Sequence, residues 1–290
     1  MEYWTEMRTA LLLARHGTVS AAAAELGIHR ATVNRHVQAL EDVLSTQLFF
    51  RHTRGYTLTD TGQEMLEVAS RADEMFSDFE GRSRGKSGRI SGELVVTALS
   101  GVSRLIVPAL DKIIKAHPHL DIEFIAEERL ARLEYGEAHI AFRAGAKPNV
   151  PDYVVLHFYR IRFGLYASRS YIHAFGKATA NDLEGHCFVG SVGRESPLPY
   201  SAWMEDNVAP SALSLRTTDQ VCKAESVAAG IGMGFLAEQD AIINSELVEI
   251  IPPSDEFATD IWIVTHGDLH RTEKVQAFLE YVRTPLNLKV

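Results

Sequence analysis

The chain has 290 residues, 46% apolar and 23% charged, with a formal net charge of -9. This balance excludes a disordered chain, and no apolar run approaches the roughly 18 residues of a membrane-spanning helix. An acidic chain has no whole-surface affinity for nucleic acid, because neutralisation of phosphates by Lys and Arg is the main source of such binding, so any affinity of that kind must be local.

The length accommodates two or three domains. The start, MEYWTEMRTALLLARHG, has neither a cationic leader nor a cleavage site, and Cys187 and Cys222 are too few for a disulfide framework, so the expectation is a cytoplasmic protein. Residues 3 to 16 read as a helix with Trp4, Met7, Leu11 and Leu12 on its packing face and Trp4 in the core. Residues 18 to 41 read as two short helices. Thr18 caps the first, Ala22, Ala23 and Leu26 recur at helical spacing, and Gly27 ends it. In the second, Val33, Val37 and Leu40 form the buried stripe, leaving Arg30, Ala31, Asn34 and Arg35 to face out or flank it. An Arg fork matches guanine O6 and N7, and an Asn amide matches adenine N6 and N7, so this helix fits a major groove.

An ordinary helical hairpin would show the same pattern over these residues alone. Residues 46 to 62, TQLFFRHTRGYTLTDTG, add an apolar pair, a basic tip and an alternating YTLT, which read as a wing beside the helices. Between His29 and Tyr56, Arg30, Arg35, Arg51 and Arg54 stand against only Glu41 and Asp42, so this face is locally positive. Through AA..LGIHRATVNRHVQALE, the LF.R.TRG wing and LT.TG, the first sixty residues resemble the winged helix-turn-helix of LysR-type transcriptional regulators. Asn34 stands where that family commonly has serine, His29 and Arg30 where it has Ser-Gln, and Ser45 where it has glycine. The predicted DNA contacts are Thr18, Arg30, Ala31, Thr32, Asn34, Arg35, Arg51 and Arg54.

From Thr59 to about Gly81, Met65, Val68, Ala72, Met75 and Phe79 step by threes and fours along a narrow strip suited to a coiled-coil seam with a second copy of the chain. The resemblance implies the same, a linker helix that dimerises. Residues 81 to 92, GRSRGKSGRISG, read as a hinge whose Arg82, Arg84, Lys86 and Arg89 either touch phosphate or are simply solvated. The predicted organisation is α+β overall: a DNA-binding domain at 1–60, a linker helix and hinge at 61–90, and a third domain at 91–290.

In that third domain ELVVTAL, SRLIVPALDKIIKAHP and LDIEFIA open a strand, helix, strand order that continues to the end and predicts α/β architecture with parallel strands. LEYGEAHIAFRAG and the later DIWIVT and RTEKVQAFLEYV resemble the effector domain of the same family, with His139 in place of a usual Asp. The resemblance implies two subdomains of the type 2 periplasmic-binding-protein kind, at 91–162 with 266–290 and at 163–265, joined by two crossing strands. Ligands of such sheets bind beyond the carboxyl ends of the strands. The predicted effector residues are Ser100, Gly101, Ser103, Phe142, Arg143, Ser191, Thr218, Gln220 and Thr265. A helix start preceded by hydroxyls, with Leu99, Val102 and Phe142 nearby, favours a small organic acid.

His117 with His119, and His266 with His270, lack the carboxylate or Cys partners of a metal site, and no P-loop or nucleophile elbow is present. The expectation is therefore no metal, no cofactor, no membrane and no enzymatic activity. The expected protein is a homo-oligomer, dimer or tetramer, that binds double-stranded promoter DNA and a small-molecule effector, with RNA polymerase as a further partner if it activates. Two alternatives stand beside it: an α/β solute-binding or enzymatic protein with an incidental helical N-terminus, and a thiol redox sensor acting through Cys187 and Cys222.

Overall fold

The computed structural model describes residues 3–53, 55–83, 90–127, 129–179, 182–192 and 198–283, with 74, 77–83 and 135 described in backbone alone. Helices α1 (Trp4–His16), α2 (Val19–Leu26) and α3 (Arg30–Leu44) close around Leu11, Leu13, Ala22, Val33 and Val37, all essentially without exposure. The Thr18 hydroxyl accepts the Ala21 N–H and caps α2, and Gly27 ends it at a φ of 65°. Trp4 departs from expectation. It is half-buried at the edge of the domain with its ring 5.0 Å from that of Phe76, because the buried residues of α1 are the continuous run Thr9 to Leu13.

The end of α3 turns through Ser45, whose φ of 52° makes it the only non-glycine residue at positive φ among the described residues. Its N–H reaches the Asp42 carbonyl while the Thr46 N–H reaches that of Glu41, the pair of bonds that closes a helix through a left-handed residue. A side chain there is strained and glycine is not. Ser45→Gly is accordingly expected to raise stability by roughly 0.5–1 kcal/mol in urea unfolding, and a loss would show that the hydroxyl matters more than the backbone.

The wing pairs β1 (Phe49–His52) with β2 (Gly55–Leu58), Phe49 opposite Leu58 and His52 opposite Gly55. It is pinned to the helices by the Tyr56 N–H on the Gly17 carbonyl at 2.9 Å. A Cβ at Gly55 would lie 2.4 Å from that same carbonyl oxygen, and one at Gly62 would lie 2.0 Å from the Leu48 oxygen, so both contacts require glycine.

Helix α4 (Asp60–Ser83) begins where the Thr59 hydroxyl accepts the Gly62 N–H. Its apolar strip is divided. Met65 and Ala69 are buried in the chain's own N-terminal core, so Met65 is not free to form a seam with another copy. Val68, Met75 and Phe76 are exposed, Ala72 is half-buried, and the side chain of Phe79 lies outside the described residues. Spacing marks an apolar face, but the first turns of this helix use theirs to close their own domain. One turn further on, Ser70 packs against Gly136 and Arg71 comes within 3.3 Å of Asp268, both in the third domain. The expected hinge falls largely at 84–89, outside the described residues, as do Arg84, Lys86, Arg89 and the side chain of Arg82.

The third domain comprises β3 (Ser91–Ala98), α5 (Ser103–Ala116), β4 (His119–Ala126), β5 (Ile140–Ala144), β6 (Tyr153–Ser168), α6 (Arg169–Phe175), β7 (Phe188–Ser191), α7 (Ser201–Asn207), β8 (Leu213–Thr217), α8 (Gln220–Ala228), β9 (Gly234–Ala237), α9 (Glu238–Ile242), β10 (Leu247–His266), α10 (Gly267–His270) and α11 (Glu273–Arg283). The main sheet runs β4-β3-β5-β10-β6-β9, with β7-β8 beside it, Val189 N–H bonding the Met233 carbonyl. Leu105, Ile106 and Ile113 of α5 and Phe278 and Leu279 of α11 bury against Leu94, Val96, Ile140 and Ile263.

Parallel pairing holds for β3 with β4 and β5 and for β7 with β8. The long strands β6 and β10 instead run antiparallel along their whole length, so the sheet is mixed. They are the two crossing strands. Because Ile261 to Val264 of β10 already pair with β5, the return to the first subdomain lies before Ile261, in the bulged stretch between Ser254 and Ala258, and not at 265. Thr265 therefore belongs to the first subdomain.

Candidate DNA interface and effector cleft

The buried stripe of α3 leaves Arg30, Ala31, Asn34 and Arg35 exposed along one side, with Thr32 half-buried beside them. Asn34 is tied to the wing: its Oδ1 accepts the Tyr56 hydroxyl at 3.2 Å, which engages the oxygen and not the amide hydrogens. Arg51 is exposed on β1, its guanidinium donating to Gln38 Oε1 at 3.3 Å and lying 3.7 Å from Glu41 Oε2. Arg54 lies outside the described residues, and the Thr18 hydroxyl, though exposed, is engaged in its cap. Glu41 is buried, its Oε1 accepting the N–H groups of Leu48 at 2.8 Å and Phe49 at 3.3 Å. Its other oxygen offsets Arg51 alone, and Arg30 and Arg35 keep the exposed side of α3 positive. The signal was the position of Glu41 four residues after Val37, on the buried stripe.

In the third domain, the turn from Leu99 to Val102 after β3 faces the end of β7 and the start of α8 across the crossing strands. They enclose a cavity of about 350 Å³. Its walls are mostly apolar (Leu99, Val102, Ile161, Phe163, Leu236, Ile261), with Ser100, Ser191, Thr218, Gln220, Asp240 and Thr259 as polar members. Gly101 narrows it, since a Cβ there would lie 3.3 Å from the Cβ of Gln220. Arg104 of α5 reaches Asp240 of α9 at 3.3 Å, an ion pair between the subdomains. Burial holds the Asp240 carboxyl above the usual carboxylate range, partly offset by Arg104.

The model of the LysR substrate binding domain matches residues 87–286, and that of the bacterial regulatory helix-turn-helix protein, lysR family, matches residues 4–63. The chain belongs to the LysR family of transcriptional regulators. The HTH-type transcriptional regulator DmlR of Escherichia coli is 25% identical, over 96% of this chain and 92% of its own length. ArgP from Mycobacterium tuberculosis superposes with a TM-score of 0.72 at 15% identity, covering 96% of this chain and 95% of its own. Full-length CbnR complexed with its target DNA gives 0.60 at 20% identity, over 97% and 98%. The family is regulatory, not enzymatic, and no helix among the described residues is long and apolar enough to cross a membrane.

In this LysR-type regulator, five of the residues expected at the effector site meet in the cleft: Ser100, Gly101, Ser191, Thr218 and Gln220. Four do not line it. Ser103 heads α5 one turn away, its N–H on the Ser100 carbonyl. Phe142 is buried between Phe158 and Phe278, in the core of the first subdomain. Arg143 turns from the cleft to donate to the Ala131 carbonyl at 2.9 Å and lie over the Tyr153 ring. Thr265 is fully buried against His270 Nδ1 at 2.9 Å. Each of the four sits near a strand end or helix start, but only strands whose ends reach the crossover contribute to the cleft. Cys187 is half-buried just before β7, and Cys222 is exposed on α8.

The residue that sequence reasoning missed is Lys223. It has no exposed surface, and its Nζ donates to Ser191 Oγ at 3.0 Å and to the Tyr200 hydroxyl at 2.8 Å. The Tyr200 hydroxyl in turn donates to Gln220 Oε1 at 3.4 Å. Burial lowers the Lys223 pKa to about 8, and the same burial raises that of Tyr200. Behind this group lies a second cavity, of about 580 Å³, bounded by Ser191, Tyr200, Met204 and Phe235.

Proposed function

We propose that this regulator is a homo-oligomer that reads double-stranded promoter DNA with the exposed side of α3, anchors through the wing, and answers to a small organic acid in the cleft between its subdomains. The observation that carries the DNA reading is the exposed row Arg30, Ala31, Asn34 and Arg35, with Asn34 tied to the wing by Tyr56. The complex of the structurally similar CbnR with its target DNA supports it. The mostly apolar walls with hydroxyl and amide groups at Ser100, Ser191, Thr218 and Gln220 support a small organic ligand with a polar end. RNA polymerase is a further partner if the protein activates.

Arg30→Ala and Asn34→Ala are each expected to cost about 1–3 kcal/mol at the cognate operator and little on random DNA. Arg51→Ala is expected to weaken both together and reduce the salt slope by about 1. Fluorescence anisotropy at several salt concentrations separates the two patterns; equal losses for all three variants on both DNAs would defeat the assignment of α3 to base readout.

Assembly through α4 rests on the exposed Val68, Met75 and Phe76. Met75→Glu is expected to lower the mass seen by light scattering with the fold kept. Met65→Glu should instead unfold the N-terminal domain, being buried in its core. An undiminished mass for Met75→Glu would place the self-association surface elsewhere.

A further inference from the structure

We propose that Lys223 sets the charge selectivity of the cleft, fixing Ser191 and Gln220 as hydrogen-bond donors toward the ligand so that the site takes a monocarboxylate with an apolar body. This rests on the organic-acid reading above. An ammonium has only hydrogens to give. Ser191 Oγ, accepting from Nζ at 3.0 Å, keeps its own hydrogen to donate. The Tyr200 hydroxyl, accepting at 2.8 Å, passes its hydrogen to Gln220 Oε1, and the Gln220 amide is left with Nε2 to present. Ser191 and Gln220 both line the cleft. The direction of every bond in this relay thus follows from one buried charge, and both of its ends are donors matched to a carboxylate.

The same charge has no counter-ion among the described residues: no carboxylate there pairs with Lys223, and burial alone accounts for its lowered pKa. A ligand carboxylate beside Ser191 supplies the missing negative charge in a poorly solvated place, where it counts most. Most of the remaining wall is apolar and Asp240 adds a carboxyl group to it, which disfavours a second carboxylate on the ligand. Lys223 touches no cleft ligand itself; it is a positioning residue, acting through Ser191 and Gln220.

Calorimetric titration of the full-length protein with phenylacetate and hexanoate, each against its primary amide, tests this. The wild type is expected to prefer acid over amide by about tenfold or more, and Lys223→Met to weaken the acid far more than the amide, bringing the preference within about threefold. A merely structural lysine would weaken acid and amide alike. Tyr200→Phe, which breaks the relay to Gln220 and keeps the charge, should lose part of the preference and serves if Lys223→Met does not fold. Acids that bind the wild type, are lost in Ser100→Trp, and keep their preference in Lys223→Met or in Tyr200→Phe would overturn this inference and leave the organic-acid reading standing. If no acid binds, or Ser100→Trp binds the acids unchanged, that reading falls and the inference with it.

Discussion

Glu41→Ala is expected to lower the stability of the winged helix by about 2–4 kcal/mol. The loss comes from two backbone N–H groups, at the buried residues Leu48 and Phe49, left without the carboxylate oxygen that accepts both. Glu41→Gln keeps an acceptor and should lose less, about 1 kcal/mol, with the amide nitrogen now facing Arg51. Native-state hydrogen exchange is the direct measurement: the Leu48 and Phe49 amides should open more readily in Glu41→Ala, and operator affinity should fall as the wing loosens. Unchanged protection at both amides would mean that water replaces the carboxylate at no cost.

Why this residue escaped notice in the sequence is instructive. Val33, Val37 and Leu40 announce the buried face of α3 through their spacing, and that face is where the structure has it. Glu41 shares the face, but periodicity weighs a residue by its polarity and reads a buried carboxylate as a surface one. The cap at Thr18, the stop at Gly27 and the wing pairing were legible for the opposite reason: each is decided by local backbone chemistry within a few residues.

The ligand-binding domain was legible as elements and less so as a site. Ser100, Gly101, Ser191, Thr218 and Gln220 converge from distant parts of the chain because strand ends at a crossover must face one another, a rule that needs no distances. Phe142, Arg143 and Thr265 obey the same rule in the sequence, yet on strands carrying apolar side chains in succession nothing there says which side faces the cleft. The Ile-Pro-Pro run within β10 resembles a strand end, and the structure carries the strand through it with bulges, which moved the second crossing upstream of Thr265. Met65 shows a further limit, since helical spacing cannot distinguish packing within one copy from packing against another.

Lys223→Met is expected to stabilise the ligand-free protein by about 1–3 kcal/mol at pH 7. The sign comes from linkage. The folded pKa lies near 8 and the unfolded one near 10.5, so between these values the unfolded chain binds the proton that the folded chain has released, and stability rises with pH across that window by about 3 kcal/mol in all. Below pH 8 both states are protonated and the full penalty of the buried ammonium stands. The substitution removes the penalty and the slope together. Urea unfolding at pH 7, 9 and 10 reads this as a difference between wild type and variant that shrinks as pH rises. Parallel profiles would show that folding leaves the lysine's pKa where it is in the unfolded chain. A stability cost at this position accords with a role in ligand selection.

Helix α4 bears on both of its neighbours within two turns: Met65 and Ala69 in the N-terminal core, then Ser70 at Gly136 and Arg71 at Asp268 in the ligand-binding domain. Asp268 lies directly after β10, whose Thr259 and Ile261 form part of the cleft wall, and no loop intervenes between that wall and α10. If the subdomains rotate about the crossing strands, α4 is the element through which that rotation reaches the N-terminal domain, and in the homo-oligomer proposed above it would alter the spacing of two recognition helices along a duplex.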